Sequence, residues 1–404
     1  MKKGFWFFVL IVIITFLSLF AYEHFKEKDN SEQKNNVIEE ESKQEVVVVE
    51  IPVKEDINIK MSAIGDIMCH NSQYIDAYNS NTKTYDFSYV FTDIQQYVSS
   101  ADIAVGNLET TFAGKEVGYS NYPTFNTPEQ LAQNLKDFGI DVLSTVNNHS
   151  MDKKYDGLVS TLNYLDAAGI SHTGTYRTEE EQNQILVKDV NGIKIAFIAF
   201  TYGTNGIPVP KSKSFCVNLI DEALILKQIE LAKQEQPDLI CASMHWGIEY
   251  QKKQNSEQDR LANLLFENGV DIILGSHPHV LQPMEKKTVT LKDGTTKDCF
   301  VIYSLGNFMS GQTKENTRSS VILNIDITKN GETGKTTLNK IEYIPIYMYK
   351  ASTASIQKYK ILDIEKTLLD YENGKDKSIG QTTYTILRNE LSKIKKTMGN
   401  SIIF

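Results

Sequence analysis

The hydropathy pattern opens with a long apolar stretch. Residues 4–22 contain no charged side chain, and nineteen residues at about 1.5 Å each nearly match the hydrocarbon core of a bilayer. Lys2 and Lys3 precede the stretch, and acidic residues outnumber basic ones directly after it. The positive-inside rule then predicts an uncleaved, single-pass anchor over residues 1–22, with the amino terminus cytoplasmic and the rest outside. The alternative is a cleaved signal peptide, for which residues 19–22 offer a poor cleavage site.

The next segment is polar. Glu, Lys, Asn, Gln and Ser dominate residues 23–45, and this composition buries too little apolar surface to fold. Residues 46–53 are rich in valine and either begin the fold or pair with it later. We therefore predict a linker over residues 23–54 that lifts the following domain off the membrane.

Strand and helix patterns alternate after this linker. Apolar and polar residues alternate over residues 57–63, as in a half-buried strand. Thr127 precedes a run with helical spacing and is predicted to be its N-cap. Asn191-Gly192 and Asp293-Gly294 separate pairs of apolar runs and predict two β-hairpins.

This alternation defines the expected fold class. Strands that alternate with helices, together with hairpins, predict an α/β domain with mixed sheets covered by helices, over residues 55–348. The tail over residues 349–404 is predicted to be a mostly helical extension. With 41% hydrophobic and 23% charged residues, the chain can bury a sizeable core.

Charge and cysteine usage exclude some functions. The net charge is −9 and basic tracts are short, so a nucleic-acid partner is not expected. Binding of a polyanion would need a local basic or metal-bearing pocket. The four cysteines are widely spaced and match no zinc motif. Cys241 lies in an apolar run and is expected to be a buried thiol, and no disulfide framework is expected because a domain of this size does not need one.

Polar residues with ligand chemistry directly follow six apolar strands. They are Asp66, Asn107, Glu109, Asn147, Asn148, His149, His245, His277, His279 and Asn307. In open α/β sheets, ligands bind beyond the carboxyl ends of the strands. We therefore expect these side chains to converge on one edge. Four of the seven histidines of the chain are among them.

Imidazole, carboxylate and amide groups together suit divalent Mn, Zn or Fe. Two such ions about 3.5–4 Å apart can clamp both oxygens of a phosphoryl displacement and activate water. Each residue alone has a simpler interpretation: a lone histidine is usually a core or turn residue, Asp66 could cap a helix, and Asn307 could form a turn. The joint pattern favours a shared site. Trp246 either belongs to the core or walls the pocket.

The order of these motifs resembles the calcineurin-like metallophosphoesterase series, and their variants resemble the CapA/PgsA family of bacterial capsule and poly-γ-glutamate synthesis. The variants are Gly65-Asp66-Ile67-Met68, Gly106-Asn107-Leu108-Glu109, Asn147-Asn148-His149, His245-Trp246-Gly247, Gly275-Ser276-His277-Pro278-His279 and Ser304-Leu305-Gly306-Asn307-Phe308. The resemblance covers about residues 60–310. It implies a sandwich of two mixed β-sheets flanked by helices.

The resemblance also implies roles for individual residues. Asn148, His245 and His277 would hold one metal ion, and Asp66 and His279 would hold a second. Glu109 would supply an acidic bridge, Asn107 occupies the usual position of a bridging aspartate, and His149 would be the general acid or charge stabiliser.

One departure from the family pattern affects the second ion. Met68 stands where a further histidine ligand is expected, and Glu109 or His70 would have to compensate. We therefore expect one tightly held ion, with the second site doubtful.

The sequence leaves three possible functions open. The resemblance implies a membrane-anchored, extracytoplasmic component that makes or exports poly-γ-glutamate, with membrane synthesis or export subunits and the anionic polymer or its precursor as partners. The alternatives are an extracellular metal-dependent hydrolase of phosphoesters or amides, and a non-catalytic scaffold on the same fold. Metal content distinguishes the scaffold from the other two.

Overall fold

The computed structural model describes residues 15, 17–23, 26, 54–291, 293–351, 358–375 and 378–404. The chain divides into two compact units, residues 1–53 and 54–404. Most of the predicted anchor and linker lies outside the described residues, although residues 17–23 are helical. In the part of the chain that is described, no helix combines the length and apolar character needed to cross a membrane.

The second unit contains helices and strands in alternation. Its strands are β1 (Ile57–Ile67), β2 (Tyr78–Asn79), β3 (Thr84–Tyr85), β4 (Ile103–Leu108), β5 (Val142–Ser144), β6 (Ser171–Thr173), β7 (Leu186–Val190), β8 (Ile193–Thr201), β9 (Leu239–His245), β10 (Ile272–Ser276), β11 (Leu281–Thr290), β12 (Thr296–Leu305), β13 (Asn307–Met309), β14 (Ser319–Lys329), β15 (Thr336–Lys350), β16 (Tyr359–Asp363) and β17 (Ile402–Ile403). Its α-helices are α1 (Asn71–Ala77), α2 (Ser88–Phe91), α3 (Gln95–Ser99), α4 (Gln130–Phe138), α5 (Lys154–Ala168), α6 (Glu179–Asn183), α7 (Glu222–Gln234), α8 (Ser256–Glu267), α9 (Ile364–Glu372) and α10 (Gln381–Met398).

The strands form two large mixed sheets. The first has the order β16-β15-β14-β1-β4-β5-β6, with β13 beside β1 and β17 beside β15. The second has the order β11-β12-β10-β9-β8-β7. Strands β1, β4, β5 and β6 are parallel in the first sheet, as are β8, β9, β10 and β12 in the second. The predicted α/β class with two mixed sheets is confirmed.

The sheets face each other across the main apolar core. Met61 and Leu323 from the first sheet belong to the same buried cluster as Phe197 and Ile272 from the second. On the outer faces, α4 packs against the first sheet, and α7 and α8 pack against the second. Because strand side chains point alternately to opposite faces, each central strand must be apolar on both faces, as its nearly continuous burial shows.

Both predicted hairpins are confirmed. β7 and β8 pair antiparallel around Asn191-Gly192, and β11 and β12 pair antiparallel around the Asp293-Gly294 turn. Asn191 has a φ of 54°, the left-handed conformation that asparagine tolerates better than most residues.

Two details of the sequence interpretation need correction. Thr127 does not cap its helix, because α4 begins at Gln130 and the Thr127 hydroxyl pairs with that of Thr110 at 2.7 Å. The region after residue 348 contains α9 and α10, but it also adds β16 and β17 to the first sheet. The tail is therefore part of the domain's sheet and not only a helical extension.

Candidate metal centre

Polar side chains from both sheets meet at the carboxyl ends of the parallel strands. Asp66 lies at the end of β1, where its partners in register are Asn107 and Asn307. His245 ends β9 beside Ser276 at the end of β10. All five residues are buried. The strand ends thus gather these groups at one edge of the sandwich.

Two glycines permit the close approach of strands at this edge. A Cβ atom on Gly65 would lie 1.9 Å from the carbonyl oxygen of Gly306, and one on Gly275 would lie 2.0 Å from that of Tyr303. No side chain fits at such distances without moving backbone. Glycine therefore fixes the spacing of the strands one residue before Asp66 and two residues before His277.

Glu109 lies at the centre of the cluster. Its side chain is 0% exposed, and its Oε1 lies 3.7 Å from His245 Nε2 and 3.8 Å from His279 Nε2. Neither carboxylate oxygen has a hydrogen-bond partner among the described residues, and neither does Nδ1 of the buried His277. Buried polar groups nearly always have a hydrogen-bond partner, so the unpaired atoms of Glu109 and His277 require an explanation.

The surroundings of Glu109 disfavour its ionised form in the metal-free chain. Burial, followed by the negative charge of Asp66, raises the pKa of Glu109 well above its ordinary value. Burial also lowers the pKa of His245 well below its ordinary value and that of His277 to about 3. Neutral imidazoles are the form that binds metal. A divalent cation would satisfy the orphaned carboxylate and imidazole together, so the donor set fits a metal ion.

Two groups of three ligand atoms share Glu109. Glu109, His245 and His277 offer atoms within 4.8 Å of one another, as do Asp66, Glu109 and His279. The first group contains His245 and His277 of one predicted ligand set, and the second contains Asp66 and His279 of the other. Glu109, the predicted acidic bridge, belongs to both of these groups.

The predicted amide ligands differ in how they are placed. Asn148 Oδ1 lies 2.6 Å from His245 Nε2, so its oxygen points to the position that a shared ion would take. Asn107 instead donates its amide N–H to Asp66 Oδ1 at 2.8 Å. In this arrangement Asn107 holds a carboxylate ligand in place by a hydrogen bond.

The second group is supported by another amide. His279 Nδ1 lies 3.1 Å from Asn307 Oδ1 and 3.5 Å from Asp66 Oδ2. With its Nδ1 directed to Asn307, His279 presents Nε2 toward Glu109. Hydrogen bonds of this kind fix the orientation of a ligating imidazole.

His149 lies beside the cluster and is held by a carboxylate. Its Nδ1 is 2.7 Å from Asp152 Oδ2, and its ring packs edge-on against Phe125 with 4.7 Å between centroids. Asn205 connects it to the cluster, because Asn205 lies 3.5 Å from His149 Nε2 and accepts an N–H from Asn148 at 3.1 Å. This leaves Nε2 on the side that faces the cluster.

His70 does not replace the missing ligand. Its Nδ1 accepts the Gly311 N–H at 3.1 Å, and its ring packs edge-on against Phe125. Among the described residues, His70 belongs to none of the three-ligand groups. Of the two predicted substitutes for a histidine at position 68, Glu109 is the one that forms a three-ligand group with Asp66 and His279.

Sequence reasoning missed three residues of this site. Glu249 is exposed and forms a further three-ligand group with His277 and His279; its only signal is its place four residues after His245. Asp152 could have been found from its spacing, three residues after His149. Asn205 carries an Asn-Gly turn signal that says nothing about ligands.

A histidine at position 68 is expected to strengthen the second ion site. Met68 is buried and follows two residues after Asp66, and residues two apart in extended chain share a face. Met68→His should therefore tighten the second ion about 10–100-fold, the scale of losing or gaining a supporting group at a metal site. Manganese titration by calorimetry measures this. Met68→Leu is the control, and equal second-site affinity in both variants would contradict the expectation.

The fold and cluster define a two-sheet α/β protein with a buried histidine–carboxylate site suited to divalent metal. Residues 60–312 match the family model of the bacterial capsule synthesis protein PGA_cap, and the chain belongs to that family. The membership inferred from the motifs is thereby confirmed.

Curated relatives cover most of the chain. The capsule biosynthesis protein CapA of Bacillus anthracis is 29% identical over 294 residues, which are 69% of this chain and 67% of that protein. The PGA biosynthesis protein CapA of Bacillus subtilis is 29% identical over 303 residues, or 74% of each chain. These relatives are named for capsule and PGA biosynthesis.

Solved structures show weaker similarity. The NAD nucleotidase NadN of Haemophilus influenzae matches 85% of this chain and 61% of that chain, at 14% identity and a TM-score of 0.43. The calcineurin-like phosphoesterase YfkN of Bacillus subtilis matches 82% and 99%, at 15% identity and a TM-score of 0.42.

Proposed function

We propose that this protein is a membrane-anchored, extracytoplasmic component of capsule or poly-γ-glutamate synthesis or export, whose buried site binds divalent metal and acts on the anionic polymer or its precursor. Family membership supports the role in capsule synthesis. The uncharged stretch over residues 4–22 and its flanking charges support the anchor and the orientation.

The observation that carries the metal site is the Glu109 carboxylate. It is fully buried, has two oxygens without hydrogen-bond partners among the described residues, and belongs to two of the three-ligand groups. An ionised carboxylate costs several kcal/mol to bury unless a cation or donors compensate. His245 and His277, with Asn148, would hold one ion against it, and Asp66 and His279 would face it from the other side.

An ion bound there would act as a Lewis acid and would allow water to be activated at neutral pH. The protein's own residues would determine proton transfer and the orientation of the ligands. His149 Nε2 faces the cluster while Asp152 holds Nδ1 at 2.7 Å, so His149 is placed to donate a proton to a leaving group. Asn107 keeps Asp66 oriented.

The His149–Asp152 pair favours a more specific version of this function. A scaffold would need no buried imidazole held by a carboxylate beside the cluster, whereas hydrolysis of a phosphoester or amide needs a general acid there. We therefore favour a metal-dependent hydrolase over a non-catalytic scaffold.

The test is the metal content of the full-length protein extracted from membranes in detergent. After loading with Mn or Zn, we expect about one tightly held ion per chain, lost in His245→Ala and His277→Ala. His172→Ala is the matched control, because His172 pairs with Asp166 outside the cluster. Wild-type protein without bound metal after loading would reject the site and support the scaffold. N-terminal sequencing of the same sample tests the anchor, and a start between residues 20 and 45 would contradict it.

A further inference from the structure

A groove lies beside the candidate metal centre, between the start of β11 and helix α10. Val280 and Leu281, which directly follow His279, line it together with Pro283 and Ile394. Its volume of about 360 Å³ falls within the range of about 300–1,000 Å³ typical of ligand pockets. The groove has an apolar floor, and it begins one residue from a predicted metal ligand.

Lysines dominate the rim of this groove, which we call the lysine groove. Lys252 and Lys253 line one side, and Lys393 and Lys396 on α10 line the other. The chain as a whole has a net charge of −9, so the lysine groove is a local reversal of sign. It is the kind of local basic pocket that binding of a polyanion to an acidic protein requires.

Acidic neighbours compensate part of this charge. Glu390 is the acidic residue of the lining; it accepts hydrogen bonds from Ser319 at 2.6 Å and Lys393 at 2.8 Å. Glu315 lies 3.8 Å from Lys252 and 3.3 Å from Lys393.

The other two lysines keep their charge available. Within the described residues, the ammonium groups of Lys253 and Lys396 make no ion pair, and both side chains are exposed. A ligand therefore meets two uncompensated positive charges, one on each side of the lysine groove.

Tyr250 joins the lysine groove to the metal centre. Its ring centroid lies 6.0 Å from that of His279, and its backbone N–H donates to the Pro278 carbonyl at 2.8 Å. Lys314 Nζ lies 3.5 Å above the same ring. The same loop therefore places Tyr250 beside His279 and, two residues later, Lys252 in the lining of the groove.

We propose that the lysine groove binds a linear polycarboxylate chain, with carboxylates on the lysines and aliphatic segments on the apolar floor, and leads it to the metal centre. This inference rests on the proposed function and names the ligand class of that site. Lysine presents a compact point charge on a flexible stem, which suits single carboxylates spaced along a flexible chain. A floor of Val280, Leu281 and Ile394 suits methylene segments and not a backbone that is itself charged.

The lining also argues against a phosphate-rich ligand. Among the described residues that line the groove there is no arginine, the side chain that binds phosphate by a paired fork of N–H groups. Phosphate polymers and anionic lipid surfaces are therefore competing outcomes of the test.

The test measures binding of a fluorescent glutamate decamer to the full-length protein in detergent, with a glutamine decamer as the neutral probe. Lys253→Gln/Lys396→Gln should weaken binding of the glutamate decamer about 3- to 10-fold, the effect of losing two exposed charge contacts. Wild-type affinity should fall as salt rises, because exposed charges are screened. The glutamine decamer should not bind detectably.

The control is Lys194→Gln/Lys227→Gln, which changes the net charge equally at two exposed lysines outside the groove. An equal loss in the control, or no loss in the groove variant, would overturn the inference. Polyphosphate or phosphatidylglycerol vesicles binding where the glutamate decamer does not would overturn it too. Metal content in the same samples separates the two proposals: groove variants should keep their metal, and absence of metal from wild type counts against the proposed function alone.

Discussion

Glu109→Gln is expected to abolish tight metal binding. The substitution keeps the shape of the side chain but removes the negative charge that the His245–His277 group and the Asp66–His279 group share. The affinity should fall at least about 10–100-fold, since even supporting residues of a metal site are worth this much. At an ion concentration of about 100 times the wild-type Kd, wild type should gain about 2.7 kcal/mol of stability. With a Kd about 10–100-fold higher, the variant should gain only about 0.4–1.4 kcal/mol at the same ion concentration.

Without metal, Glu109→Gln should not lose stability relative to wild type. Burial and the negative charge of Asp66 raise the pKa of Glu109 in the folded state. As the pH rises through that pKa, ionisation of the buried carboxyl group lowers the free energy of unfolding. Glutamine has no such cost, and metal-free Glu109→Gln should be at least as stable as wild type at neutral pH.

Chemical denaturation with and without Mn measures both effects of Glu109→Gln. Glu390→Gln is the control for a buried glutamate, since Glu390 is held by Ser319 and Lys393. It should lose stability but keep metal. Stabilisation of Glu109→Gln by Mn to the wild-type extent would contradict the central position of this carboxylate.

Gly275→Ala is expected to destabilise the metal-free fold strongly. The added methyl group would lie 2.0 Å from the Tyr303 carbonyl oxygen, at the parallel pairing of β10 and β12. Only a backbone shift relieves this contact, and forced overpacking costs about 1–3 kcal/mol or more. The shift would also move His277, so metal affinity should fall together with the melting temperature.

Gly203→Ala is the matched control for this prediction. A Cβ atom at Gly203 meets nothing within 4 Å, and its φ lies outside the left-handed region. Thermal unfolding should place Gly203→Ala close to wild type and Gly275→Ala several degrees below it. Equal melting temperatures for the two variants would show that the β10–β12 spacing tolerates a side chain.

Local patterns predicted those parts of the fold that local chemistry determines. The hairpin at Asn191-Gly192 follows from a turn that needs positive φ, and the α/β class follows from alternating periods. The position of β17 could not be read in this way. It pairs with Lys340 and Ile341 of β15, far earlier in the chain, and nothing in a short tail segment indicates which sheet edge it will meet.

In the candidate site, too, local patterns predicted some residues and not others. Asp66, Glu109, His149, His245, His277 and His279 could be named because each directly follows an apolar strand and parallel strands end together. Glu249 lies in an exposed loop, where an acidic residue is ordinarily only solvated. The lysine groove could not be predicted from the sequence, because Lys253 and Lys396 are far apart in the chain and only the fold brings them together.

The backbone at two of the predicted ligands bears on the history of the family. His277 and His279 have φ values of 97° and 59°, a region that side chains other than glycine occupy at a cost of about 1–3 kcal/mol each. Mutational drift would exchange these histidines for glycine or asparagine in any lineage that no longer used the ion, because the exchange would stabilise the chain. The residues at these two positions therefore serve as a record of whether selection still maintains the chemistry of the site.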